Sequence, residues 1–157
     1  MNYFLDTSAL AKLYHQESGS DYMDRILEQL GSRSLISHLS IVELESVLAI
    51  KTRTGEIDQP ALKVARRRFR ADLARQRLIV APPVHERHFQ SARKLLVQYG
   101  VGEGLRTLDA LQLAIALDLQ RLGHIAALVA ADQRLYRVAP LAGCTAINPE
   151  EPGPILI

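Results

Sequence analysis

The chain predicts an α/β fold built on a central parallel sheet, and three observations carry that prediction. Short apolar runs alternate with longer segments of helical periodicity, the pattern of parallel strands joined by crossover helices. Two of the apolar runs, in "YFLD" and "ALVAAD", lead directly into aspartate, as strands do where they meet a capped helix or a ligand crevice. The segment "LDALQLAIALDLQRL" is apolar on nearly every side, as a helix sandwiched in the core must be.

Taken in order, the first strand is Tyr3 to Leu5. Asp6, Thr7 and Ser8 follow it and open a helix from about Ser8 to His15, where any of the three is a natural acceptor for the first free amides. A second helix, Asp21 to Leu30, leads to a strand at Ser34 to Ser37. The helix after it runs from Ile41 to Arg53, and Ser40 and Glu43 there have the spacing of a capping box. Gln59 to Gln76 is helical because Leu62, Ala65, Phe69 and Leu73 make an apolar stripe. Six arginines of "RRRFRADLARQR" lie among them, either as a solvated face or as a concentration of positive charge for a partner. A strand at Leu78 to Ala81 precedes a helix at Val84 to Tyr99. The stretch "YGVGEGLRT" then reads as a flexible glycine-rich loop; it has neither a dinucleotide fingerprint nor a P-loop ending. The apolar helix Leu108 to Leu122, a strand at Ala127 to Ala130, a short helix after Asp132 and a strand at Thr145 to Asn148 complete the domain. The tail "NPEEPGPILI" has the prolines and glycine of an irregular segment.

With 157 residues and 48 % hydrophobic content, the chain supports one core, burying roughly 70 % of the surface its unfolded form exposes. Cys144 is the single cysteine, so an intramolecular disulfide framework is excluded, and its neighbours read as a buried strand. No apolar segment reaches the ~20 residues of a membrane span, and no secretory leader is visible; a soluble cytoplasmic protein is expected. A formal charge of +2 does not by itself mark a nucleic-acid binder. His15, His38, His85, His88 and His124 have no zinc-ligand spacing with cysteine and receive no catalytic role.

Chemistry concentrates in four carboxylates. Asp6 and Asp132 follow strands directly and should line the carboxyl edge of the sheet, where ligands gather at the switch in strand order. Taken singly, each is explained as a helix cap. Glu43 is preferred to Glu45, which points into the arc of Ile41, Leu44 and Leu48. Asp109 opens the buried helix, and a buried charge needs hydrogen bonds, an ion partner or a cation. Gathered in one crevice, the four would raise one another's pKa values, and hard divalent ions remove that difficulty while leaving room for a phosphate. A pair of such ions can hydrolyse a phosphodiester.

Four motifs, "FLDTSALAKLY", "SHLSIVELESVLA", "LRTLDALQLAIAL" and "VAADQRL", resemble those of the PIN-domain ribonucleases, and among them the VapC-like toxins of type II toxin–antitoxin pairs, in the same order and over almost the whole chain. The resemblance implies a three-layer α/β/α PIN-like domain over residues 1–148 with an irregular tail at 149–157. It implies a Mg2+- or Mn2+-dependent endoribonuclease, a VapB-like antitoxin that blocks the site, and a homodimer. Carried over residue by residue, the acidic set is Asp6, Glu43, Asp109 and Asp132, with Asp6 and Asp109 the most direct metal ligands. Thr7 or Ser8 would orient Asp6 or touch substrate phosphate, and Arg106 would meet phosphate or pair with a carboxylate. The chain departs from the family at Ala130, where a hydroxyl is common, and at Gln112, where histidine is common.

Two other functions fit parts of the sequence. A PIN-like module that binds RNA or a partner without cutting would use the arginine-rich helix, but the full acidic set argues for catalysis. A phosphotransferase of the haloacid-dehalogenase type would need a second aspartate where Ser8 stands.

Overall fold

A computed structural model describes residues 1–151 and Gly153. Five parallel strands, β1 (Asn2–Leu5), β2 (Arg33–Ile36), β3 (Leu78–Val80), β4 (Ala127–Val129) and β5 (Ala146–Ile147), form one sheet in the order β3-β2-β1-β4-β5. The first three strands therefore progress outward in one direction, and the chain then returns to the other side of β1. That reversal places the switch point between β1 and β4, where a parallel sheet opens a crevice at its carboxyl edge.

Side-chain alternation divides the core into two layers. Tyr3 and Leu5 point to one face, with α1 (Thr7–Leu10), a 3-10 turn (Ala11–Leu13), α2 (Ser20–Glu28), α3 (His38–Arg53) and α4 (Gln59–Ala74). Phe4 points to the other, with α5 (Glu86–Glu103), α6 (Thr107–Arg121) and α7 (Gln133–Leu141). The result is the three-layer α/β/α arrangement the motifs imply. Helix α6 is buried continuously from Asp109 to Ala116, as its all-round apolar pattern requires. In α4, Leu62, Ala65 and Phe69 are buried and Leu73 packs against them, while Arg66 pairs with Glu45 and Arg77 with Asp72.

Beyond small shifts at element ends and a first helix that is one α-turn followed by a 3-10 turn, four details differ from the sequence reading. Helix α3 starts at His38, three residues early, because Ser37 is its cap and accepts from the Ser40 amide; Ser40 and Glu43 do not form a capping box. Glu45 faces solvent and pairs with Arg66 rather than entering the apolar arc. The glycine-rich stretch is mostly helix: α5 continues through Gly100 and Gly102, at about 1 kcal/mol per glycine, and stops at Gly104, whose φ of 69° forms a left-handed cap. Only residues 104–106 remain as a loop. The final strand, Ala146–Ile147, is one residue shorter at each end than expected; Cys144 lies before it, its thiol buried and its pKa pushed up to about 11 by desolvation, which makes it a packing residue.

No helix among the described residues is long and apolar enough to cross a membrane. Residues 149–151 lack regular secondary structure but are held to the domain: Glu150 pairs with the buried Lys12 at 2.6 Å. The rest of the predicted tail, residue 152 and residues 154–157, lies outside the described residues.

Candidate metal centre at the sheet switch point

Asp6, Glu43, Asp109 and Asp132 line a single cavity of about 420 Å³, together with Thr7, Ser8 and Arg106. Each arrives on a different element, and the sheet register explains the convergence. Leu5 pairs with Val129, and the Asp6 amide continues the ladder to the Val129 carbonyl at 3.0 Å, so the residues after β1 and β4 emerge side by side. Glu43 reaches the site from the second turn of α3. Asp109 enters from the first turn of α6.

The cap explanation holds for both strand-end aspartates and leaves room for another role. Asp6 Oδ2 accepts from the Ser8 amide at 3.0 Å and the Ser8 hydroxyl at 2.7 Å, while no donor among the described residues reaches Oδ1. Asp132 Oδ1 accepts from the amides of Arg134 and Leu135, both at 3.0 Å, and caps α7. Ser8 links the two ends, because its hydroxyl oxygen also accepts from the amides of Ala131 and Asp132. Position 130 offers no hydroxyl, and Ser8 meets the backbone amides that follow β4. Thr7 does not orient Asp6; it donates to Glu43 Oε2 at 2.9 Å.

Gln112 has a larger part than the sequence reveals. It is fully buried, and its amide nitrogen donates to Glu43 Oε2 at 2.6 Å and Ser40 Oγ at 3.0 Å, with a longer contact to Thr7 Oγ1 at 3.4 Å. Its carbonyl accepts from Ser37 Oγ at 2.9 Å. Glu43 is therefore fixed on one oxygen by two donors. Ser37 and Ser40, both buried, are the members of this network that sequence reasoning missed. Their signal was the hydroxyl immediately after β2 and the three-residue spacing of a cap.

The electrostatics reflect carboxylates crowded away from water. Asp6 is 4 % exposed, and burial raises its pKa to about 6, with Asp109 and Glu43 adding repulsion that the Ser8 bonds only partly offset. Burial also raises Asp109, opposed chiefly by Arg106. Arg106 bridges two acids, its Nε to Asp109 Oδ2 at 2.9 Å and a terminal nitrogen to Asp132 Oδ2 at 3.0 Å.

An all-oxygen set of hard donors with excess negative charge suits Mg2+ or Mn2+. Among the described residues no three Asp, Glu, His or Cys side chains converge tightly enough to cage an ion by themselves. An ion here would complete its shell with water, the usual habit of Mg2+.

Together the fold and the site define a class: a doubly wound α/β domain with an acidic crevice at its switch point. The chain belongs to the PIN domain family, whose pattern it matches over residues 3–141. A comparison with curated proteins finds no match. Among solved structures, PAE2754 from Pyrobaculum aerophilum is similar at a TM-score of 0.60 and 22 % identity, over 96 % of this chain and 90 % of that one. VapBC2 from Rickettsia felis, solved bound to a DNA fragment from its promoter, gives 0.63 and 17 %, over 94 % and 98 %. Mycobacterium tuberculosis VapC20, a sarcin-ricin loop cleaving toxin, gives 0.63 and 19 %, over 96 % and 99 %. At these identities the likeness speaks for the fold.

Proposed function

We propose that this protein is an endoribonuclease that hydrolyses RNA phosphodiester bonds with Mg2+ or Mn2+ and acts as the toxin of a toxin–antitoxin pair. The observation that carries the reading is the convergence of Asp6, Glu43, Asp109 and Asp132 on one cavity at the switch point. Membership of the PIN family supports it, and full-length similarity to VapC20 and to the VapBC2 complex supports the toxin role and a VapB-like antitoxin. A cytoplasmic homodimer is the form this reading expects.

Asp6 and Asp109 would hold the ion most directly, with Glu43 and Asp132 completing its surroundings. When bound, such an ion lowers the pKa of water and neutralises charge at a reacting phosphate. The protein's own residues prepare the site for this. Ser8 fixes Asp6 and the backbone before α7. Thr7 and Gln112 hold Glu43. Arg106, half-exposed at the rim beside Asp109 and Asp132, would receive an RNA phosphate.

The test is cleavage of total cellular RNA by antitoxin-free protein in Mg2+, Mn2+ or EDTA, with Asp6→Ala and Asp109→Asn in parallel. Discrete fragments that require the ion and both aspartates are expected. Undiminished cleavage by folded Asp109→Asn would overturn the site assignment, and no cleavage by the folded, ion-loaded wild type would favour a binding module.

A further inference from the structure

We infer that Arg106 is a tethered counter-cation that competes with the divalent ion for Asp132 and Asp109, so that the centre binds the ion more tightly once the guanidinium lets go. The inference rests on the metal-dependent reading above and adds a competition that it does not contain.

It follows from the accounting of carboxylate oxygens. Among the described residues no donor reaches Asp6 Oδ1, Glu43 Oε1 or Asp109 Oδ1, whereas Asp6 Oδ2 accepts from the Ser8 amide and hydroxyl and Glu43 Oε2 from Thr7 and Gln112. Asp132 alone has both oxygens engaged: Oδ1 caps α7 and Oδ2 accepts from Arg106. The cap is internal to the fold and stays. Until Arg106 withdraws, its positive charge and one lone pair of Asp132 Oδ2 are set against an ion, and the same withdrawal frees the lone pair it holds on Asp109 Oδ2.

The position of Arg106 makes withdrawal feasible. It is the cap residue of α6, but its side chain makes no capping bond, so releasing the carboxylates does not disturb the helix start. Its side chain is 58 % exposed while Asp109 and Asp132 are 11 % and 26 % exposed, and with the guanidinium in water each pair is worth on the order of 1 kcal/mol. A divalent ion outcompetes such a pair at modest cost. The displaced guanidinium then stands at the cavity mouth with its fork of donors free, the geometry that suits a phosphate.

The experiment is Mn2+ binding without RNA, followed by calorimetry and by the electron paramagnetic resonance signal of free Mn2+, on wild type, Arg106→Gln, Arg106→Lys and Arg134→Gln. Arg134 lies close enough to lower the Asp109 pKa, but among the described residues its side chain bonds to no carboxylate, so it controls for net charge. Arg106→Gln should bind Mn2+ about fivefold more tightly, from the loss of two exposed pairs. Arg106→Lys should fall between it and wild type, and Arg134→Gln within about twofold of wild type. Equal or weaker binding by Arg106→Gln, or an equal gain in Arg134→Gln, overturns the competition while leaving the metal centre intact. Absence of Mn2+ binding in every folded protein overturns the metal reading, and the competition with it.

Discussion

Replacing Gln112 with leucine tests whether the buried amide is the keystone of the site. The substitution keeps a similar volume but removes every hydrogen bond the residue makes. Those are the bonds to Ser37 Oγ at 2.9 Å, Ser40 Oγ at 3.0 Å and Glu43 Oε2 at 2.6 Å, with a weak one to Thr7 at 3.4 Å. Neutral bonds contribute about 1 kcal/mol each and one to a carboxylate about 1.5–3 kcal/mol, a gross loss of roughly 4–5 kcal/mol. Part is recovered. Ser37 and Ser40 still bond to each other at 3.1 Å, and Glu43 keeps Thr7 at 2.9 Å. The net expectation is about 3 kcal/mol, or a fall of roughly 6–12 °C in Tm for a domain of this size. Urea and thermal unfolding in EDTA measure it without interference from a bound ion. Gln112→His, which retains a donor, should lose less. A loss below about 1 kcal/mol for Gln112→Leu, or no energetic coupling to Glu43→Leu in a double-mutant cycle, would refute the idea that Gln112 positions Glu43.

Asp6→Asn should stabilise the ion-free protein at pH 7–8 by up to about 3 kcal/mol, because the folded pKa of about 6 lies above the usual 3.8. The sign is that of a raised acid: wild type loses stability as pH rises from about 4 through 6, so Asp6→Asn should show a flatter profile in EDTA, and a profile identical to wild type would contradict the burial cost. Ser8→Ala removes the acceptor for two backbone amides and a donor to Asp6; unfolding experiments should show a loss of about 2 kcal/mol, and Mn2+ titration weaker binding. Asp118, away from the proposed centre, is held at a pKa of about 2 by Arg121, His88 and Arg87 against its burial. Its contribution, discounted for solvent screening to roughly 1 kcal/mol, is present above pH 4 and lost as pH falls towards 2, so acid titration of Asp118→Asn should lack that part of the slope.

Much of this arrangement was legible because it rests on local periodicity. The five strands and the buried character of α6 follow from apolar runs, and the placement of Asp6 and Asp132 follows from their position immediately after strands. What stayed hidden depends on partners distant in sequence. Gln112 sits in an otherwise apolar helix, and only the fold brings Ser37, Ser40 and Glu43 to it across the domain. The spacing of Ser40 and Glu43 fits a capping box equally well as a sequence, but Ser37 lies one turn earlier and takes the cap. The helical glycines near residue 100 likewise override local propensity, since the cap at Gly104 sets the end of α5 and Leu105 is buried beyond it.

The stretch after β1 shows why a cap and a metal ligand are compatible in one aspartate. A capping carboxylate needs one oxygen for the first amides of its helix, and the second is left for other work. Asp6 spends Oδ2 on Ser8, and that bond turns the carboxylate into a rigid group whose remaining oxygen faces no donor. Burial without a full set of donors raises the proton affinity of Asp6, and by the same physics a cation bound there would offset the cost of its buried charge. Asp132 follows the same logic with a different second partner, since Arg106 occupies the oxygen the cap leaves over. The short helix α1 and the start of α7 thus do more than follow strands: by engaging one oxygen of each carboxylate they fix how the other is presented at the switch point, where Arg106 holds Asp132 Oδ2.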